Sequence, residues 1–204
     1  MQTRFTLALA ATIGAVLSLA ACSNKSTPNE ENFAAAVTKK LGSSAERCLP
    51  AASWPASAEP TDHGNPYAFY DAGVAFVNAG LATVKEEGPN ASTNFRKKAI
   101  FSLTDEGKKI LLPEQYQPYP NQRTGRFCYG KAKLTKVIKW DAPVTLGSAT
   151  GTTIYYAYQI VDAPKWAENP QLKAAYQELA TDMDGKGQAT LPVVLTNDGW
   201  QAAN

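Results

Sequence analysis

Hydrophobic positions recur along this chain with two periods, and the change between them divides it. From Pro28 to Leu41, Phe33, Val37 and Leu41 fall every fourth residue and form one apolar stripe. Thr27 as cap, Pro28 at the first helical position and Glu30 closing a capping box predict a helix over 28–41, stopped by Gly42. Residues 49–66 hold Pro50, Pro55, Pro60, Gly64 and Pro66 and read as an irregular loop. Tyr70, Val74 and Val77 restore helical spacing over 67–79, weakened by Gly73 and ended by Gly80-Leu81. Short strands over 81–84 and 99–103 flank a turn at Gly88-Pro89-Asn90, and Thr104 caps a brief helix over 105–112.

The second half changes period. Residues 113–126, with Pro113, Tyr116, Pro118, Tyr119 and Pro120, read as a connection. From Cys128 to Trp140 the even positions Cys128, Ala132, Leu134, Ile138 and Trp140 are mostly apolar, whereas the odd positions Lys131, Lys133, Thr135 and Lys139 are polar. This is the alternation of a half-buried strand. It places the cysteine and Lys136 on the inner face, with Phe127, Tyr129 and Val137 as interruptions. A short strand near 143–147 and a long one over 152–161 follow. Asn169-Pro170 starts a helix with Leu172, Ala175, Tyr176, Leu179 and Met183 on one face; a last strand runs over 189–196, and Asp198-Gly199 turns before Trp200. The predicted fold class is α+β: N-terminal helices with a small wing-like hairpin, then an antiparallel sheet with a packed helix. The globular part spans 29–204, with possible lobes at 29–113 and 124–204.

The N-terminus adds a compartment. Arg4 supplies a basic start, an apolar run covers Phe5 to Leu17, and Leu19-Ala20-Ala21-Cys22 ends it. The order is that of a cleavable export signal, and the run is short and interrupted for a membrane span. Its last four residues resemble the lipobox of bacterial lipoproteins. The resemblance implies removal of residues 1–21, a diacylglycerol thioether on Cys22, and residues 22–28 as a tether. Ser23 after the cysteine implies the outer membrane, with the domain lipid-anchored and facing the periplasm.

In that oxidising space the remaining cysteines, Cys48 and Cys128, form an even pair and are expected to be a disulfide. The whole chain carries 20 basic and 18 acidic side chains; removing residues 1–21 takes away Arg4 and no acid, leaving 19 against 18. That balance argues against a nucleic-acid binder, as does export. The segment Ala79-Gly80-Leu81 to Phe101-Ser102-Leu103-Thr104-Asp105-Glu106-Gly107 resembles the helix, wing and closing helix of winged-helix domains. Residues 67–79 contain no Lys or Arg, so the resemblance implies a structural unit and not DNA binding. The block Phe127-Cys128-Tyr129-Gly130, with Ile138-Lys139-Trp140 and Pro164-Lys165-Trp166-Ala167, resembles envelope lipoproteins that carry no assigned activity.

Catalytic and metal signals are weak. There is one histidine, His63, in a Gly/Pro loop, and no Gly-x-Ser-x-Gly elbow. Asp182-Met183-Asp184-Gly185 superficially matches a calcium loop, but the register puts Leu191 where the bidentate Glu must stand, so a polar helix-to-strand turn is expected. No cofactor and no metal are expected. The informative surface is basic. Arg123, Arg126, Lys131, Lys133, Lys136 and Lys139 occur with no acid until Asp141. On a strand Lys131, Lys133 and Lys139 share a face, near Tyr129, and Tyr116 and Tyr119 lie just upstream. Such a stripe reads first as a solvated strand face guarded by lysines, and it also suits an envelope protein or an anionic cell-wall component. The functional expectation is a non-enzymatic binding or accessory module of the cell envelope. The alternatives are an accessory or protective partner of a secretion or toxin system, and a cell-wall or glycan hydrolase.

Overall fold

The computed structural model describes residues 24–89, 96–118 and 120–203. The signal segment, Cys22, Tyr119 and Asn90 of the expected turn lie outside them. The fold is α+β. In chain order the elements are α1 (Glu30–Ser44), β1 (Glu46–Cys48), β2 (Ala52–Trp54), β3 (Ala56–Ala58), α2 (Tyr70–Asn78), β4 (Ala82–Glu87), β5 (Lys98–Leu103), α3 (Asp105–Ile110), β6 (Leu111–Pro113), β7 (Arg123–Trp140), β8 (Val144–Leu146), β9 (Ala149–Val161), α4 (Pro170–Ala175), α5 (Gln177–Met183), β10 (Gln188–Thr196) and β11 (Gly199–Ala202). Single 3₁₀ turns cover Pro60–Asp62 and Lys165–Glu168. No helix among the described residues is long and apolar enough to cross a membrane.

Strand β7, 18 residues long, organises the molecule. The antiparallel sheet runs β1-β7-β9-β10-β11, with β2 and β6 pairing the start of β7 and β8 pairing β9. Two cores sit along it. Around the C-terminal half of β7, Phe33, Ala36 and Val37 of α1 pack on Ala132, Val137, Ile154, Tyr156, Leu191, Val193 and Trp200. Around the N-terminal half, Trp54 meets Phe69, Phe76 and Phe127 edge-on at 5.1–6.1 Å, with α2, β5 and α4 closing over them.

A second sheet, β3-β5-β4, carries the expected hairpin. Its two short sequence signatures meet in space. Thr104 Oγ1 donates to the Gly80 carbonyl at 2.9 Å and the Thr104 amide donates to the Leu81 carbonyl at 3.1 Å. A Cβ at Gly107 would strike that same Leu81 carbonyl, so only glycine allows the approach. Thr104 also caps α3, accepting from the Gly107 amide at 3.0 Å.

Several boundaries differ from the sequence reading. Asn29, not Thr27, caps α1, accepting from the Asn32 amide at 2.9 Å, while the Asn32 side chain ties back to the Asn24 and Thr27 carbonyls. The proline-rich loop 49–66 contains β2 and β3, each only three residues, too short for periodicity to reveal. The expected helix 170–183 breaks at Tyr176, which is extended at φ −128°, ψ 97°. Periodicity ran through the break because Leu172, Tyr176 and Leu179 all face one core.

Candidate partner-binding surface

Bulges in β7 correct the sequence-based assignment of faces. Against β9, Leu134 pairs with Tyr158 and Lys136 with Ala157, so Thr135 is an extra residue; Val137 pairs with Tyr156 and Lys139 with Tyr155, so Ile138 is another. Each extra residue reverses the alternation. Ala132, Leu134, Val137 and Trp140 thereby stay inside, whereas Lys131, Lys133, Lys136 and Lys139 all project from the opposite face. Lys136 therefore joins the basic row. Cys128, half-buried between buried Phe127 and Tyr129, lies on the face away from the core, contrary to the expected alternation. Its disulfide with Cys48 is formed and joins β1 to β7 across 80 residues of sequence.

The outer face is open. Helix α1 packs on the inner side of the sheet, and α5 reaches the inward side chains Tyr129 and Tyr158. Opposite Lys133, Lys136 and Lys139 stand Gln159, Ala157 and Tyr155, followed on β10 by Gln188 and Thr190. Lys131 lies between Val161 and Glu46. Among the described residues, none of these four ammonium groups has a carboxylate within ion-pair distance. Carboxylates stand at the ends of the row, Glu46 and Asp162 beside Lys131 and Asp141 beyond Lys139. Lys139 Nζ sits 4.6 Å above the Tyr155 ring. The Asp141 charge, then desolvation and a hydrogen bond from the Tyr155 hydroxyl to Asp141 at 3.3 Å, raise the Tyr155 pKa.

The other expected contact residues divide. Arg126 is paired with Glu114 at 2.7 Å and borders a shallow depression with Lys131 and Glu46. Arg123 is exposed at the far end of β7, opposite Trp54 of β2. Tyr116 is exposed in the connection before β7. The fold therefore unites the four lysines and leaves Arg123 and Tyr116 apart from them.

The row is held by a charged centre that sequence reasoning missed. Asp182, 2% exposed on α5, accepts from the Tyr129 hydroxyl at 2.8 Å, the Tyr158 hydroxyl at 2.7 Å and Arg47 Nε at 3.0 Å. Arg47 also pairs with Glu178, and its guanidinium lies 5.4 Å from the centre of the Tyr158 ring. A buried carboxylate is tolerable only with such partners. Burial lowers the Arg47 pKa, but the Asp182 hydrogen bond and charge outweigh it and raise the value overall. Burial first, then the hydrogen bond to Asp182, pushes both phenols well above the ordinary tyrosine range.

Alkaline sensitivity follows. Raised phenol pKa values contribute stability that is complete below the unfolded-state value, near pH 10, and is lost as pH climbs through the folded-state values. The thermal midpoint is expected to fall steeply above about pH 10, and less steeply in Tyr129→Phe or Tyr158→Phe. Thermal unfolding at a series of alkaline pH values measures this, and equal slopes in all three proteins would refute it.

One groove, about 1020 Å³ in volume, lies beside α2 and α4. His63 Nδ1 is 2.7 Å from Asp71 Oδ1, and the Gly64 amide donates to Asp71 Oδ2 at 2.7 Å. The His63 contact and then the Gly64 amide hold the Asp71 carboxyl below its usual range. Burial raises Tyr176 on the groove wall to about 12. Among the described residues, no serine, threonine or cysteine lines the groove. A calcium-like role for 182–185 is not what the geometry provides, since Asp182 is enclosed by phenols and Asp184 caps α5. Glu46 lies with Cys48 and Cys128 in a cluster of potential ligand atoms, but both sulfurs are bonded to each other and offer no thiolate. No family model, curated protein or solved structure gives a significant match to the chain, so the surface has to be interpreted from its own chemistry.

Proposed function

We propose that the protein is a lipoprotein anchored through Cys22 in the outer membrane, facing the periplasm, and that it binds an anionic envelope polymer on the outer face of β7. The carrying observation is the row Lys131, Lys133, Lys136 and Lys139 on an uncovered sheet with neutral side chains opposite its central members. From Val161 to Tyr155, the residues opposite its ends, the row spans roughly 20 Å at about 3.3 Å per residue. An extended, flat, basic row suits repeated charges along a polymer better than a small molecule, which needs a concave site.

Exposed ionic contacts are worth up to about 1 kcal/mol each at low salt. Replacing all four lysines by glutamate is therefore expected to weaken binding by roughly a hundredfold or more. Co-sedimentation of the intact protein with purified wall sacculi measures it, and Lys133→Glu/Lys136→Glu set against Lys39→Glu/Lys40→Glu on α1, which change the charge equally, controls for total charge. Unchanged sedimentation of the four-lysine variant would remove the proposal. Binding to a single acidic protein in place of sacculi would point to the accessory-partner alternative.

The hydrolase alternative would use the His63–Asp71 pair as a water-activating base, since the described lining of the groove holds no serine, threonine or cysteine. Sacculi incubated with the protein are expected to release no soluble fragments. Release that disappears in His63→Ala would favour that alternative.

A further inference from the structure

The β8–β9 hairpin carries an apolar tip of unusual exposure. Val144 is 59% and Leu146 79% exposed. Their register partners are Gly151 and Ala149, which puts both side chains on the same outer face as the lysines. From Ala142 to Val161 the sequence has no charged residue at all. The outward row therefore passes from basic at Lys136 and Lys139 to apolar at Val144 and Leu146, with Ile138 42% exposed beside it.

The chain's N-terminal segment is fastened at this same end of the sheet. Gly151 of β9 pairs with Val194 near the end of β10, so the hairpin and the β10–β11 turn at Asn197-Asp198 share one end. The Ser26 carbonyl accepts from Trp200 Nε1 at 3.2 Å, and the Lys25 backbone lies so close to Gly199 that a Cβ there would come within 3.0 Å of the Lys25 carbonyl oxygen. Lys25 and Ser26, near the start of the described residues, thus lie at the hairpin's end of the sheet.

We infer that the hairpin tip is a second membrane contact: Val144 and Leu146 enter the bilayer interface beside the lipid on Cys22, with Lys136 and Lys139 at headgroup level. This rests on the anchoring reading above. A lipid anchor at one residue leaves a domain free to tumble, whereas an adjacent apolar tip backed by lysines fixes its orientation. Asp141, whose amide donates to the Thr153 carbonyl behind the tip, marks the limit of insertion, because its carboxylate stays in water. The sheet then stands away from the membrane, and the lysine row is presented along its height.

The test uses the full chain, processed in cells and reconstituted in phosphatidylethanolamine/phosphatidylglycerol vesicles whose acyl chains are brominated. With Cys22 acylated and Cys48 bonded to Cys128, Leu146→Cys supplies the single thiol for an environment-sensitive fluorophore. Lys186→Cys is the control: it lies just before Gln188 at the opposite end of β10, roughly 26 Å or more from the β10–β11 turn. Loss of fluorescence by lipid quenching at 146, and none at 186, is the expected result. Equal exposure of both labels to the aqueous phase, in a protein whose intact mass includes the acyl chains, overturns the hairpin contact and leaves the anchor standing. A dimer of the Leu146→Cys variant linked through its introduced thiol, without lipid quenching, assigns the tip to a second copy and also overturns it. An intact mass without acyl chains, in a protein that does not float with the vesicles, overturns the anchoring reading and this inference together.

Discussion

Asp182→Ala is expected to cost roughly 3–5 kcal/mol of folding stability, the range for removing one partner of a buried ion pair. The loss has several parts. Arg47 would keep only its more exposed pairing with Glu178, and the Tyr129 and Tyr158 hydroxyls would lose their acceptor inside the protein. These phenols belong to different packing clusters, Tyr129 to the core around Trp54 and Tyr158 to the core under α1. Asp182 therefore ties the two cores together across β7, and its removal is expected to reduce cooperativity as well as stability. Denaturant unfolding followed by tryptophan fluorescence measures both, since Trp54 reports one core and Trp140 and Trp200 the other. Asp182→Asn keeps the shape and an acceptor and should fall between. A change below about 1 kcal/mol would mean that water replaces the carboxylate without penalty and that the centre is not a structural tie.

Removing the disulfide has an effect of similar size. Cys48 and Cys128 close a separation of 80 residues, and the chain-entropy relation gives about 4.5 kcal/mol as an upper figure. The bridge also fixes β1, which contributes only three residues to the sheet yet carries Arg47 to Asp182. Cys48→Ser/Cys128→Ala should therefore lose part of the Asp182 centre as well, and combining it with Asp182→Ala should cost less than the sum of the two. Equilibrium unfolding of the two parents and the combination tests this. Full additivity would show that the bridge and the charged centre act independently.

How far the sequence revealed all this depended on whether the governing contact was local. The cysteine pair was legible because three cysteines less the one in the lipobox leave a single pairing. The Thr104 cap and the Gly80-Leu81 step were legible because their geometry is written within a few neighbouring residues. The faces of β7 were not, because a bulge inserts one residue with no compositional mark. Strict alternation sent Lys136 inward, and only the register with β9 returns it to the outer face. The interruption at Val137 was the visible trace of that irregularity, and the one at Tyr129 of a separate register shift against β1, although neither could say where it lay. Asp182 was hidden for another reason. Its partners Tyr129 and Tyr158 lie 53 and 24 residues away, and an Asp beside Asp184-Gly185 looks like turn chemistry. The clue was its spacing from Leu179, three residues along a helix, which sets it on the buried side. His63 and Asp71 are eight residues apart, and only the loop's path brings them together.

Hydrogen–deuterium exchange of the intact, reconstituted protein with and without soluble wall fragments tests the central claim most directly, because it locates the partner on the molecule. Protection over 131–139 of β7 and 155–161 of β9, with none over 63–71, is the predicted result. Protection confined to the groove around His63 and Asp71, with the lysine row unchanged, would contradict it.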